Sequence, residues 1–88
     1  MDFALTFSSS FKKHYKFFGE KQRKQIRSKL NLLVSNPSHP SLRIKRIKGT
    51  AGLWEMSVNM DIRIIWKYEG EAMILMLDIG HHDILKKY

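Results

Sequence analysis

Three strand-forming runs in the last third of the chain constrain the fold more than any other feature of the sequence. Residues 53–59 and 62–68 alternate in polarity along the chain, and residues 73–79 are apolar on both faces. The short links between these runs favour antiparallel hairpins. The run that is apolar on both faces is expected to lie in the interior of the resulting sheet.

The first half of the chain predicts one short strand followed by two helices. Residues 2–7 favour a strand, and the three serines that follow offer an N-cap, because a serine oxygen accepts a helix N–H that has no other partner. Apolar residues at helical spacing predict a helix over 11–18 that ends at Gly19, and a second over 20–35 that Pro37 terminates.

A further strand is predicted over residues 42–48, and this completes the order strand, helix, helix, four strands. This order predicts an α+β fold with one domain over residues 1–88. In this fold an N-terminal strand and an antiparallel two-helix hairpin pack on one face of a mainly antiparallel sheet of four to five strands. The predicted core comprises Trp54, Met56, Val58, Ile62, Ile64 and Trp66, and the opposite, polar face carries Glu55, Ser57, Asn59, Arg63 and Lys67.

Positive charge is concentrated in the first half of the chain. Residues 1–49 contain twelve lysines and arginines and two acidic residues, whereas residues 50–88 contain four and six. The net charge of +8 favours a polyanionic partner, either nucleic acid or an acidic protein segment. The alternative is a solvated surface that binds nothing specific.

The absence of cysteine excludes disulfides and thiolate metal sites and suits a cytoplasmic protein. No apolar run approaches the roughly 20 residues of a membrane span, and the N-terminus lacks the pattern of a signal peptide. We therefore expect no membrane partner. We also expect no cofactor and no metal site, since two adjacent histidines without a second cluster of ligands bind metal poorly.

Arg63 and the residues after Gly80 suggest a site that cuts RNA. An arginine within an apolar strand can hold a phosphate, and histidine, the residue type of His82, suits proton transfer near neutral pH. Asp83 would either orient an imidazole or cap a final helical turn, and His81 is a weaker candidate than His82. The alternatives are structural: Arg63 pairs with Glu55 or Asp78, and His82 is a solvated turn residue. His14 and His39 are expected to be structural.

Lys45, Arg46 and Lys48 follow one another along the predicted strand 42–48. They would either contact RNA phosphates or protect an edge strand from aggregation.

The order and spacing of several motifs resemble the RelE/ParE toxin superfamily of toxin–antitoxin systems, and in particular its YafQ-like branch. The matching stretches are residues 39–43, 47–49, 53–58, 61–66 and 78–83. The resemblance implies an mRNA interferase toxin, an endoribonuclease that cleaves mRNA on the ribosome by attack of the ribose 2′-hydroxyl on the adjacent phosphate. It also implies an antitoxin partner, expected to have an acidic segment, and binding of operator DNA by the toxin–antitoxin complex.

The resemblance assigns roles to individual residues. Arg63 resembles the phosphate-binding arginine, His82 the proton-transfer histidine and Asp61 an acidic residue of the site. Where the prototype branch has two catalytic lysines, this chain has Glu55 and Ser57. The base-stacking aromatic of the family is replaced by Lys86, with Tyr88 two residues further on. The expected RNA-binding residues are Lys45, Arg46, Lys48, His81, Lys86 and Tyr88.

Two points stay open at this stage. The general base could be Asp61, Glu55 or His81. The same fold could also belong to a ParE-like inhibitor of DNA gyrase, or to a non-toxic relative that acts only as an antitoxin-binding regulatory partner.

Overall fold

The computed structural model describes residues 3–88 and contains a five-stranded sheet with helices packed against it. Residue 2 of the predicted first strand lies outside the described range. The elements in chain order are β1 (Ala4–Phe7), α1 (Ser9–Tyr15), α2 (Glu20–Ser35), a short 3₁₀ helix (Pro40–Leu42), β2 (Lys45–Arg46), β3 (Trp54–Ser57), β4 (Ile62–Tyr68), β5 (Met73–His81) and a C-terminal 3₁₀ helix (His82–Lys87).

The strands lie in the order β1-β5-β4-β3-β2. The pairs β2–β3, β3–β4 and β4–β5 are antiparallel, whereas β1 runs parallel to β5 with Ala4 opposite Met73. This arrangement confirms the predicted α+β class and the mainly antiparallel sheet. It also confirms that the last strand lies in the interior of the sheet, since β5 is paired on both sides.

Local signals in the sequence set the ends of the helices. Ser8 caps α1, where its hydroxyl oxygen accepts the N–H of Phe11 at 3.0 Å, as predicted. The predicted bounds of α2 are confirmed. However, α1 ends at Tyr15 and does not reach residue 18, because the N–H groups of Phe17 and Phe18 bond to carbonyls three residues back. Such bonds tighten the last turn and end the α-helix.

The main core lies between the helices and one face of the sheet. Ile26, Leu30 and Leu33 of α2 and Phe11 of α1 are buried there. Five of the six predicted core residues are buried, and the sixth, Trp54, is partly buried against the same cluster. Burying an aliphatic side chain of this size stabilises the fold by about 1.5–3 kcal/mol, so the amphipathic stripe of α2 is a principal source of stability.

The predicted strand over 42–48 is wrong in extent. Leu42 belongs to the short 3₁₀ helix and is fully buried, and Arg43 adopts a left-handed conformation with φ of 49°. A residue in that conformation cannot continue a strand. Only Lys45 and Arg46 therefore pair with β3.

The second face of the sheet is less polar than predicted. Ile65 on this face is completely buried, and the C-terminal 3₁₀ helix, longer than the single turn expected from the sequence, contacts β4 and β5. Asp78 lies opposite Ile65, and the register then shifts so that Trp66 pairs with Met76. No helix within residues 3–88 has the length and apolar character needed to cross a bilayer.

Candidate active site

The connection between β3 and β4 organises the candidate site. The side-chain oxygen of Asn59 accepts the N–H groups of Asp61 and Ile62, each at 2.8 Å. This Asx turn fixes the connection, because the side chain takes the place of a backbone acceptor. Ile62 lies opposite His81 in the sheet, so the turn brings Asp61 to the end of β5.

Asp61 binds both histidines at the end of β5. Its Oδ2 lies 2.6 Å from Nδ1 of His81, and its Oδ1 lies 3.1 Å from Nδ1 of His82. Hydrogen bonds from the side chains of His82 and then His81 lower the pKa of the Asp61 carboxyl to about 2. Asp61 is therefore ionised throughout the neutral range. We call these three residues the Asp61 cluster.

The Asp61 cluster presents two imidazoles in a defined orientation. With each Nδ1 directed at the carboxylate, Nε2 is the nitrogen through which each ring can exchange a proton with another molecule. Both imidazoles are exposed, with side chains of His81 and His82 at 63% and 73% of their full accessibility. The arrangement can supply one proton acceptor and one proton donor side by side.

Arg63 contacts the same turn. Its guanidinium donates to the carbonyl oxygens of Asn59 at 2.7 Å, Met60 at 3.0 Å and Ile62 at 3.2 Å. These bonds leave the Nε–H and one Nη2–H for an anion. Within residues 3–88, Arg63 forms no ion pair, so the predicted alternative of a bridge to Glu55 or Asp78 is wrong.

The structure thus brings Asp61, Arg63, His81 and His82 to one turn, and it leaves Asp83 outside their hydrogen-bond network. In the part of the chain that the structure describes, the Asp83 carboxylate neither orients an imidazole nor caps the helix. The carboxylate that contacts the histidines comes instead from the β3–β4 turn, 21 residues before His82.

Asp83 lines a groove of about 360 Å³ beside His81. The ring of Phe18 packs at 5.6 Å from that of His81, and Phe17 on the same groove is 79% exposed. The groove therefore offers aromatic surface next to the Asp61 cluster.

The other predicted RNA-binding residues lie at the periphery. Lys45 and Arg46 are exposed on the edge strand β2, where the guanidinium of Arg46 stands 6.0 Å from the centre of the Trp54 ring. Lys86 is exposed on the C-terminal 3₁₀ helix, and Lys48 follows β2.

Glu55 and Ser57, at the positions that resemble the family's lysines, both lie on β3, with Ser57 opposite Arg63. Glu55 is opposite Lys45 on the neighbouring strand. Its Oε2 is buried and has no hydrogen-bond partner among the described residues.

A buried carboxylate near the site was missed by sequence reasoning, which considered Asp78 only as a partner for Arg63. Asp78 is 3% exposed and accepts hydrogen bonds from Nδ1 of His14 at 2.7 Å, the N–H of Ile79 at 2.9 Å and the hydroxyl of Tyr88 at 3.0 Å. Burial, and then the bond to Asp78, raise the pKa of the Tyr88 phenol. The available signal was an acidic residue within a run that is otherwise apolar on both faces.

A second cavity, of about 570 Å³, opens between the two helices, and we call it the hairpin groove. Its walls are mainly apolar, and its rim is basic. The lining residues are Phe7, Phe11, Tyr15 and Leu30, with Lys12, Lys16, Arg23 and Arg27 around them. Arg23 and Arg27 also join the helices, through the carbonyl of Lys16 and the hydroxyl of Tyr15.

Comparison with known proteins identifies a family and a fold. Residues 2–85 match the family described as the ParE toxin of the type II toxin–antitoxin system parDE. No curated protein sequence matches significantly.

Several solved structures share the fold. The RelE–RelB complex from Pyrococcus horikoshii gives a TM-score of 0.78 at 14% identity, covering 96% of this chain and 99% of the other. The YoeB/ParE toxin from Agrobacterium tumefaciens gives 0.78 at 17% identity, covering 90% and 98%. The DinJ–YafQ toxin–antitoxin complex from E. coli gives 0.76 at 16% identity, covering 93% and 94%.

Proposed function

We propose, from the premise that this chain belongs to the ParE toxin family of type II toxin–antitoxin systems, that it is a metal-independent endoribonuclease acting on mRNA at the ribosome. The observation that carries the proposal is the Asp61 cluster beside Arg63. Two oriented imidazoles and a guanidinium with no carboxylate partner among the described residues are the groups that this cleavage requires.

The reaction is an internal transfer at phosphorus. One imidazole of the cluster takes the proton of the ribose 2′-hydroxyl while the oxygen attacks the adjacent phosphorus, forming the 2′-O–P bond. The P–O5′ bond breaks, and the other imidazole gives its proton to the leaving oxygen. The products are a 2′,3′-cyclic phosphate and a free 5′-hydroxyl, and no further reactant is needed.

The two remaining charged groups of the site are Arg63, which stabilises the transition state, and Asp61, which orients the imidazoles. Arg63 donates to the phosphorane oxygens through its free N–H groups, where positive charge stabilises the transition state more than the ground state. Asp61 holds both rings by Nδ1 and favours the imidazolium that forms during the reaction. Asp61 is thus the orienting carboxylate, and His81 joins His82 as a proton-transfer group.

The RNA-binding surface extends from the cluster to the basic periphery. Lys45, Arg46, Lys48 and Lys86 contact phosphates of mRNA or ribosomal RNA, and such contacts weaken as salt concentration rises. Phe17, which is exposed in the groove beside His81, offers a stacking surface for a base.

The hairpin groove is the proposed contact for the antitoxin. Its apolar walls suit the side chains of an amphipathic segment, and its basic rim suits acidic residues on that segment. The DinJ–YafQ and RelE–RelB structures contain a toxin together with its antitoxin. The toxin–antitoxin complex would then bind its operator DNA.

Expression of variants without antitoxin tests the nuclease. His82→Ala and Arg63→Ala should each relieve growth arrest and remove the cleavage stops seen by primer extension on cellular transcripts. His39→Ala is the matched imidazole control, because the His39 ring bonds only to nearby Ser41 in the described structure. Circular dichroism must show that every variant folds. A folded His82→Ala protein that arrests growth as strongly as the wild type would overturn the assignment.

The family match also favours a second function, the inhibition of DNA gyrase by binding. In that case replication would stop before translation after induction, and the His82→Ala variant would remain toxic. Harmless expression of the wild-type chain would instead indicate an antitoxin-binding regulatory partner. The replacement of the family's two lysines by Glu55 and Ser57 supports this interpretation.

A further inference from the structure

The chain after β5 folds back onto the second face of the sheet and is held there at two points. We call residues 82–88 the C-terminal segment. Ile84 is 6% exposed and lies directly over Gly80, since a Cβ added at Gly80 would stand 3.0 Å from its Cδ1. Four residues further on, the hydroxyl of Tyr88 donates to Oδ2 of Asp78.

Both carboxylate oxygens of the buried Asp78 accept hydrogen bonds. Its Oδ1 accepts from His14 of α1 and from the backbone of β5, so only Oδ2 is left for the C-terminal segment. The Asp78 side chain is only 5% exposed, so a carboxylate oxygen without a hydrogen-bond donor would lower the stability of the fold. The Tyr88 hydroxyl satisfies this oxygen, and the buried carboxylate therefore holds Tyr88 in place.

The C-terminal segment also carries His82 of the Asp61 cluster. The segment is bound at its first residue by Asp61 and at its last by Asp78. Between these two hydrogen-bonded residues Ile84 packs over Gly80, so Ile84 and Tyr88 fix against the sheet the 3₁₀ helix that begins at His82.

We propose that Asp78, acting through the hydroxyl of Tyr88, is a positioning residue that sets the orientation of His82. The proposal rests on the proposed nuclease function. It gives Tyr88 a role different from base stacking, because an anchor needs the hydroxyl whereas stacking needs only the ring.

Tyr88→Phe separates these two roles, since it keeps the ring and removes the hydroxyl. We expect kcat for cleavage of a ribosome-bound mRNA to fall roughly ten-fold, the equivalent of one hydrogen bond to a charged group, with KM unchanged. Asp78→Asn should have an effect in the same direction. Tyr68→Phe is the matched control, because Tyr68 is exposed on β4 and its hydroxyl makes no hydrogen bond within residues 3–88.

Two measurements without RNA keep this inference separate from the nuclease proposal. Tyr88→Phe should speed amide hydrogen exchange in residues 82–88 and shift the ring resonances of His82, whereas Tyr68→Phe should do neither. If Tyr88→Phe causes these changes and the wild-type protein cleaves no RNA, the nuclease proposal fails and the anchor stands. If Tyr88→Phe retains full kcat and unchanged exchange, the anchor is refuted, and a loss of binding in Tyr88→Leu alone would then assign stacking.

Discussion

Replacement of Gly80 by alanine tests how the C-terminal segment packs against the sheet. The added Cβ would lie 3.0, 3.3 and 3.4 Å from Cδ1, Cβ and Cγ1 of Ile84. Carbon atoms in optimal contact are about 3.5–4.0 Å apart, so Ile84 must move by several tenths of an ångström. The φ of Gly80 is not in the left-handed region, and the backbone accepts alanine without strain. The whole cost is therefore one of overpacking.

We expect Gly80→Ala to destabilise the fold by about 1–2 kcal/mol. In a domain of this size each kcal/mol lowers Tm by roughly 4–8 °C, which thermal unfolding followed by circular dichroism resolves easily. Ile84→Val removes Cδ1, the atom nearest to the added methyl group, and alone costs about 0.5–1.5 kcal/mol. The double variant should be more stable than the sum of the two losses by at least roughly 0.5 kcal/mol.

Gly52→Ala is the control for this cycle. Gly52 has φ of 79° and open space around its Cα, so alanine there strains the backbone and meets no neighbour. Its cost of about 1 kcal/mol should not change when Ile84→Val is added. An unchanged Tm for Gly80→Ala, or strictly additive losses in the Gly80–Ile84 pair, would refute the packing described for Ile84.

Three further predictions follow from single contacts. The pKa of Asp61 is lowered to about 2, so the stability that the Asp61 carboxylate adds relative to Asp61→Asn should be complete above about pH 4. This stability should disappear as the pH falls toward 2. A carbon-13 titration of the Asp61 carboxyl with its midpoint near 4 would contradict this prediction. Ser8→Ala should cost about 1–2 kcal/mol in urea unfolding through loss of the helix cap and of the bond from its hydroxyl to the carbonyl of Leu77. Ser9→Ala, within the first turn, should cost far less. Because the pKa of the Tyr88 phenol is raised, its contribution to folding stability is complete below about pH 10 and is lost as the pH rises through the pKa of the folded state. Difference absorbance between the wild type and Tyr88→Phe should place the titration of this phenol above the ordinary tyrosine range.

The elements that could be predicted from sequence are those with local signals. The stripe on α2 and Pro37 after it define a helix without reference to the rest of the chain. The strand over 42–48 was predicted too long because Arg43 adopts a left-handed conformation and Leu42 is buried by distant residues. Neither property is visible in a cation-rich run of β-forming residues.

The candidate site was only partly predictable for the same reason. Arg63 and His82 stand out because a cation in an apolar strand and a histidine pair at a strand end are costly to place. The contact of Asp61 with His81 depends on the register of two strands, which periodicity does not specify. The sequence therefore offers the adjacent Asp83 as a candidate to orient an imidazole or to cap the final helical turn. Asp78 was missed as an anchor because its environment includes a register shift and a segment that folds back.

The parallel pairing of the first and last strands has a consequence for biosynthesis. Residues 4–7 find their sheet partner only when residues 73–76 have been made. A ribosome delivers the chain from its N-terminus, so the helices can form early while the first strand waits until residues 73–76 have been made. A product that terminates before residue 81 has neither imidazole of the Asp61 cluster. Under the proposed function such a fragment lacks both proton-transfer groups, so it would not cleave RNA.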